Sequence, residues 1–360
     1  MFRNIKIGSK VLIILVLVAV TAAGISGFIS YRIARKSLET ESFNKLTAVR
    51  EMKAGQIEDY FQLISDQIVS LSEDRMIIEA MKAFDEGLHQ VQAELKVTDK
   101  QRVAFDNKLK IYYQQEYLKR LTANSQGNIS LSDYWPEDVK TRTLQHLYIS
   151  SNSNEAGSKE KLDNAGDKSS YSRAHAVYHP ILRSYLEKFG YYDIFLVDIE
   201  TGGHVAYSVF KEVDYGTSLL NGPYKNTNFA EAYNAASKAT HKDFVKLVDF
   251  KPYPPSYNEQ ASFISSPIYD GNKKIGVLIF QMPIDKINNI MTNKNEWAKV
   301  GLGASGETYL IGDDYKLRNQ SRFLIEDSKN YFKMIKKIGV PQTTIDIIKN
   351  INTPIFLLPS

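Results

Sequence analysis

YYDIFLVDIETGGHVAYSVF, residues 191–210, decides the fold. In YYDIFLVD (191–198) apolar side chains occupy both odd and even positions. Successive side chains of a strand point to opposite faces, so such a strand needs cover on both sides. ETGG (200–203) is a turn, and HVAYSVF (204–210) reads as the second strand of a hairpin. Downstream, residues 228–239 have helical character. Three more strands follow, FVKLVDF (244–250), ASFISSPIYD (261–270) and KKIGVLIFQMPI (273–284). Asp270-Gly271-Asn272 is the turn between the last two. Helices, a hairpin, a helix and three strands, in that order, make an α+β domain. It is a PAS-like antiparallel five-stranded sheet with helices on its faces.

Upstream, VLIILVLVAVTAAGISGFISY (11–31) carries no charge over 21 residues, the length needed to cross a bilayer. A cleaved signal peptide is the rival reading. Its apolar core is shorter, whereas here apolar character continues past Ala22 and Ala23 to Phe28 and Ile29. An uncleaved anchor in the cell membrane is therefore expected, in a single pass, with residues 1–10 cytoplasmic and everything after about residue 32 extracytoplasmic. Basic residues flank both ends of the span, so charge alone does not orient it.

After the span, Leu38, Phe43, Leu46, Val49, Met52, Ile57, Phe61, Ile64, Ile68 and Leu71 recur at helical spacing. They predict a long amphipathic helix from Arg32 to about Glu79, continuous with the membrane helix. Its stripe must be covered, and a parallel homodimer is the natural cover. Residues 80–125 continue as polar helical stalk. Helices are also expected at 137–150 and 171–189, separated by a polar loop.

A second module begins near Trp297. GETYLIG (306–312) and LRNQSRF (317–323) read as a hairpin, residues 331–349 as a helix, and the chain closes on PIFLLPS. This module is expected to be incomplete. The division is 1–10 N-terminus, 11–31 membrane helix, 32–125 stalk, 126–292 distal sensor module and 296–360 partial proximal module.

Chemistry-bearing motifs are few. With 45 basic against 41 acidic residues, charge is too balanced for a nucleic-acid partner, and without cysteine there is no disulfide or thiolate chemistry. GLGASG (301–306) matches a dinucleotide-binding pattern, but a strand-like segment follows it instead of a helix, so a tight turn is the better reading. His175 and His179 stand four apart on a helix without an obvious third ligand, and are read as hydrogen-bonding residues. Catalytic motifs are absent, so no enzyme, metal or cofactor is expected. Of the 22 tyrosines, Tyr191, Tyr192, Tyr207, Tyr215, Tyr224, Tyr253 and Tyr257 fall in or beside the sheet, where they suit either packing or the wall of a ligand pocket. Asp193, Asp198, Lys211 and Asp249 fall at strand positions or ends, with surface solvation as their default.

Residues 189–219, 244–291 and 301–323, with the upstream LQHLYIS…YSRAHAVYHPILRSYLEKFGYYD, resemble double Cache sensor domains. These are the extracytoplasmic parts of bacterial methyl-accepting chemotaxis proteins. Related sensors precede cyclase and histidine kinase outputs. The resemblance implies a distal PAS-like module that binds a small molecule, and a proximal module near the membrane. It also implies a second membrane helix, a linker and a cytoplasmic output, none of which is expected within these residues. The family's amino-acid-binding set does not match residue by residue, so no amino-acid ligand is carried over. Position around the sheet marks Tyr192, Asp193, Tyr207, Asp249 and Ser265 as ligand-binding candidates. The expected function is the small-molecule sensor region of a bacterial signalling receptor without its output domain. The alternative is an anchored remnant that dimerises without signalling.

Overall fold

In the computed structural model, residues 6–125 and 127–351 are described. Residues 1–5 of the expected cytoplasmic N-terminus and all of PIFLLPS lie outside the described residues. Helix α1 (Ile7–Ser72) joins the apolar span to the amphipathic stripe without a break. It is long and apolar enough to cross a membrane. It ends before the expected Glu79 because Asp74 starts a new helix: its carboxylate accepts the Met76 N–H at 2.7 Å. The stripe divides. Val49, Ile57, Ile64, Ile68 and Leu71 are buried, whereas Leu38, Phe43, Leu46 and Met52 stay exposed.

Contacts separate two units. The first comprises residues 1–56 and 296–306. In it, GLGASG forms turns with Gly301 and Gly303 at positive φ. The Gly306 N–H reaches the Leu302 carbonyl at 2.9 Å. No helix N-terminus follows to hold a pyrophosphate, in line with the turn reading.

The second unit comprises residues 57–295 and 307–360. After α1 come α2 (Arg75–Leu95), α3 (Asp99–Tyr112), a π-helical turn Tyr113–Tyr117 and α4 (Leu118–Ala123). Next are α5 (Leu131–Tyr134), α6 (Val139–Gln145), a second π turn His146–Ser150 and α7 (Ser170–Phe189). Gly190 closes α7 in the left-handed conformation, with φ 74°. Then follow β1 (Asp193–Asp198), β2 (Val205–Ser208), α8 (Asn228–Lys238), β3 (Lys246–Tyr253), β4 (Glu259–Asp270) and β5 (Lys273–Met282). The five strands pair antiparallel throughout, in the order β2-β1-β5-β4-β3.

Both faces of this sheet are covered, as the apolar β1 requires. Ile194, Leu196, Leu278 and Phe280 pack with the end of α1 and with α2 and α7. Phe195, Val197, Phe263 and Ile279 pack with α8 and with the aromatic residues of α3 and its π turn. Strand β2 is shorter than the expected 204–210 because the Asp193 carboxylate takes the Phe210 N–H at 3.0 Å and shares the Val209 N–H, at 2.9 Å, with the Ile194 carbonyl at 3.2 Å.

The chain continues through α9 (Ile284–Thr292) to α10 (Arg322–Glu326), α11 (Ser328–Lys337) and α12 (Gln342–Ile351). The expected hairpin of residues 306–323 reduces to one bridge, Ile311 to Leu317. Side chains replace its ladder: Asn319 accepts the Leu310 N–H at 2.6 Å and donates to the Thr308 carbonyl at 3.1 Å. The single helix expected at 331–349 breaks in two at Gly339, whose φ is 97°, and Pro341.

A β-bulge after Val248 leaves Asp249 and Phe250 outside the β3–β4 ladder. Phe250 packs on Ile57, Ile287 and Met291. Asp249 meets the Arg318 guanidinium at 2.7 Å and 3.0 Å. Asp249 is half-exposed, so the pair is screened. A double-mutant cycle of Asp249→Ala and Arg318→Ala, read by denaturant unfolding, is expected to give a coupling of about 1 kcal/mol. A coupling near zero would mean the fork does not hold in solution.

Candidate functional site

Three carboxyl groups converge where the chain leaves β2. Asp193 opens β1, and Glu212 and Asp214 follow in the KEVD segment after β2. Asp193 and Asp214 are wholly buried and Glu212 nearly so. Asp193 is well served: Ser208 Oγ donates at 2.6 Å, and the Ile194, Val209 and Phe210 amides at 2.6 to 3.0 Å. Glu212 accepts only hydroxyls, Ser256 at 2.6 Å and Tyr192 at 3.1 Å. Asp214 accepts the Tyr253 hydroxyl at 2.5 Å. Its second oxygen, and Gln281 Oε1, find no hydrogen-bond partner among the described residues. Gln281 belongs to the same cluster, since its amide donates to Ser256 Oγ at 3.3 Å.

Burial is the largest influence on all three acids and pushes each upward: Asp193 to about 6, Asp214 to about 7, and Glu212 well above the ordinary glutamate range. The nearest base, Lys211, attracts Asp193 through space without hydrogen-bonding to any of the three. It sits in left-handed backbone, and its amine donates to the Val209 carbonyl at 2.9 Å beside His179. Burial depresses it to about 7.

An aromatic wall stands over the acids. The π turn of residues 113–117 carries Tyr113 and Tyr117 inward, edge to face at 5.5 Å. Tyr113 donates to Gln145 at 2.9 Å. Trp135 meets Tyr113 at 5.5 Å, and Tyr134 meets Tyr117 at 5.6 Å and Tyr224 at 6.2 Å. Beyond Trp135 an open cleft of about 500 Å³ runs along Asp133, Asp138, Thr201, His204 and Ser218. Trp135 is the ring that this cleft shares with the aromatic wall.

Of the five sequence candidates, the structure brings Tyr192 and Asp193 into this cluster. Tyr207 lies on the opposite face of the sheet, stacked on Phe84 at 4.4 Å and donating to His179 Nδ1 at 2.6 Å. Asp249 is at the bulge with Arg318. Ser265 is buried under α8 and donates to the Ala232 carbonyl at 2.8 Å. The surface-solvation default fails for Asp193, Asp198 and Lys211, which are all buried. Asp198 accepts the Thr201 N–H at 2.8 Å and the His204 N–H at 2.7 Å, so it shapes the ETGG turn. His175 and His179 hydrogen-bond the Asp163 and Glu160 carbonyls at 2.7 Å and 2.6 Å, as expected. Sequence reading missed Glu212, Asp214, Ser256 and Gln281. One signal was present: Gln281 interrupts an apolar strand, whereas Glu212 and Asp214 meet through a turn over residues 213–216 that strand periodicity does not describe.

No family model matches the chain, and no curated protein matches it either. Solved structures do. The ligand-binding domain of the Campylobacter jejuni chemoreceptor Tlp3, in complex with L-norvaline, is 15% identical, over 73% of this chain and 81% of its own, with a TM-score of 0.28. The sensor domain of the V. cholerae histidine kinase DctB is 13% identical, over 53% and 62%, with a TM-score of 0.26. The ligand-binding domain of the Pseudomonas aeruginosa chemoreceptor PctC, in complex with GABA, is 12% identical, over 64% and 78%, with a TM-score of 0.27. All three are sensor or ligand-binding domains, the class that the sequence resembles. At such scores the likeness defines no site and no ligand.

Proposed function

We propose that this chain is the sensor region of a membrane-anchored bacterial receptor, and that its distal module binds a small molecule carrying a positive charge. The carrying observation is the set of buried acceptors, Glu212, Asp214 and Gln281, with no base in contact and tyrosines around them. Buried acids without a counter-ion are costly to a fold, so a site that keeps them has a use for them. Tyr192 and Asp193 belong to this proposed site, with Tyr253 and Ser256 orienting the acids. Asp249, Ser265 and Tyr207 are structural in this reading.

The apolar span of α1 is the proposed single-pass anchor, with the sheet on the extracytoplasmic side. The exposed Leu38, Phe43, Leu46 and Met52 support a second copy of the chain as the cover of the stalk. A ligand acts on such a receptor only by binding one arrangement of it better than another.

The test is a thermal-shift screen of the purified chain against cationic, neutral and anionic metabolites matched in size. Cationic compounds are expected to stabilise the protein, and Glu212→Gln to abolish that shift. Stabilisation by anions alone would overturn the reading.

A further inference from the structure

We infer that the buried acid cluster captures the positive group of its ligand in exchange for a proton, so that ligand binding releases protons to solvent. This rests on the cationic-ligand reading and goes beyond it. The argument begins with burial. Glu212 and Asp214 are both buried, and their side-chain partners are hydroxyls: Tyr192 and Ser256 for one, Tyr253 for the other, with the Asp214 and Tyr215 amides also acting on the Asp214 carboxyl. Two anions there would repel each other, and Glu212 would lack the amide donors that serve Asp193. Desolvating each would cost several kcal/mol. A neutral carboxylic acid avoids that cost.

Among the described residues no base touches Glu212 or Asp214, although Lys211 attracts Asp193 through space. From β1 the cluster is faced by Tyr192 and Asp193, from β3 by Tyr253, and from β4 by Glu259, which acts through Tyr192. From α3, its π turn and the segment before α8 come Tyr112, Tyr113, Tyr117 and Tyr224. Tyr257 follows β3 and has the Arg120 guanidinium over its ring at 5.3 Å. Every group in direct contact is an acid, a hydroxyl or an amide. Lys211 turns its amine toward His179 and the Val209 carbonyl and reaches Asp193 only electrostatically.

Gln281 supplies the independent sign of a missing ligand. It is nearly wholly buried, its amide nitrogen is bound to Ser256, and its oxygen points at no donor among the described residues. An ammonium has three N–H donors and no acceptor. It complements the Gln281 oxygen, the unpartnered Asp214 oxygen and an ionised carboxylate together. The step balances: a carboxylic acid and an ammonium become a carboxylate–ammonium pair, and one proton leaves to water.

Infrared difference spectroscopy of the full chain in detergent tests this, with methylammonium chloride as probe and sodium chloride at equal ionic strength as reference. The free protein near neutral pH is expected to show a protonated-carboxyl C=O band that shifts in D2O and shrinks in Asp214→Asn and Glu212→Gln. Methylammonium is expected to bleach that band, and its apparent affinity to rise about tenfold per pH unit, one proton per ligand, between about pH 5 and 7. No protonated-carboxyl band in the free wild type, or binding of methylammonium without loss of the band, would overturn the exchange while leaving the cationic-ligand reading intact. Failure of methylammonium to bind at any pH would overturn both. The wild-type measurement needs no variant to fold.

Discussion

Asp214→Asn is expected to make the protein more stable than the wild type at pH 8, with the gain disappearing toward pH 4. Asp214 titrates near 7 in the folded protein, mainly because burial penalises its charged form, against about 3.9 in an unfolded chain. Its folded value is raised, so the stability it contributes is fully present below about pH 4. That stability is lost as pH rises through the folded value. Three units correspond to about 4 kcal/mol at most. Asparagine has the same shape and carries no charge, so it escapes that loss. It also brings an N–H2 to a spot without a donor's partner, which costs about 1–3 kcal/mol. The net gain at pH 8 is expected to be about 2 kcal/mol, measured by urea unfolding of both proteins across the pH range.

The difference between the two proteins matters more than either profile alone. His175 and His179 are buried and held neutral, far below the ordinary histidine range. Their folded values are lowered, so stability falls as pH drops below about 6.5. Lys211 is lowered too, and favours the folded state as pH rises above about 7. These groups tilt the profile of both proteins equally and cancel in the difference. A gap that stays constant with pH would show that Asp214 titrates as an ordinary aspartate, and would remove the electrostatic basis of the proposed site.

The second large effect lies far from the acids. Gly87→Ala is expected to destabilise the protein by about 3 kcal/mol, or roughly 10 °C in Tm. A Cβ at Gly87 would stand 2.8 Å from Tyr171 Cα and 2.9 Å from its nitrogen. Backbone cannot rotate away, so α2 and α7 would have to separate. Tyr171 is wedged there, with its hydroxyl on the Ala206 carbonyl at 2.6 Å and its ring against Phe84 at 5.3 Å. Moving it disturbs the inner face of the sheet. Gly55→Ala is the control. Nothing lies within 4 Å of its Cβ position, and alanine is the better helix former by about 1 kcal/mol. It is expected to be neutral or stabilising. Equal effects of the two substitutions would mean that the α2–α7 contact is looser than described.

The strands were legible because their apolar residues alternate, or fill both faces, in a way that only a covered sheet satisfies. β1, β4 and β5 fall within two residues of their expected limits. The exceptions have local causes. Asp193 ended β2 early by binding the amides of residues 209 and 210. Asn319 dissolved the hairpin at 306–323, and Asp74 stopped the long helix at Ser72. In each case a polar side chain won a backbone partner, a contest that periodicity does not register.

The sequence by itself determined the apolar span, the helical stripe that continues it, the order of the strands and the need to cover both faces of β1. These follow from hydrophobicity and its period, which are properties of neighbouring residues. Only the tertiary structure decided which polar groups meet. Tyr192, Asp193, Glu212, Asp214, Tyr253, Ser256 and Gln281 come from four separate stretches of chain, and their chemistry depends on losing water together. Lys211 is the sharpest case. Beside Glu212 in sequence, it looks like its counter-ion, yet its left-handed backbone turns the amine to His179, so that it acts on Asp193 only through space and leaves Glu212 and Asp214 without a base in contact.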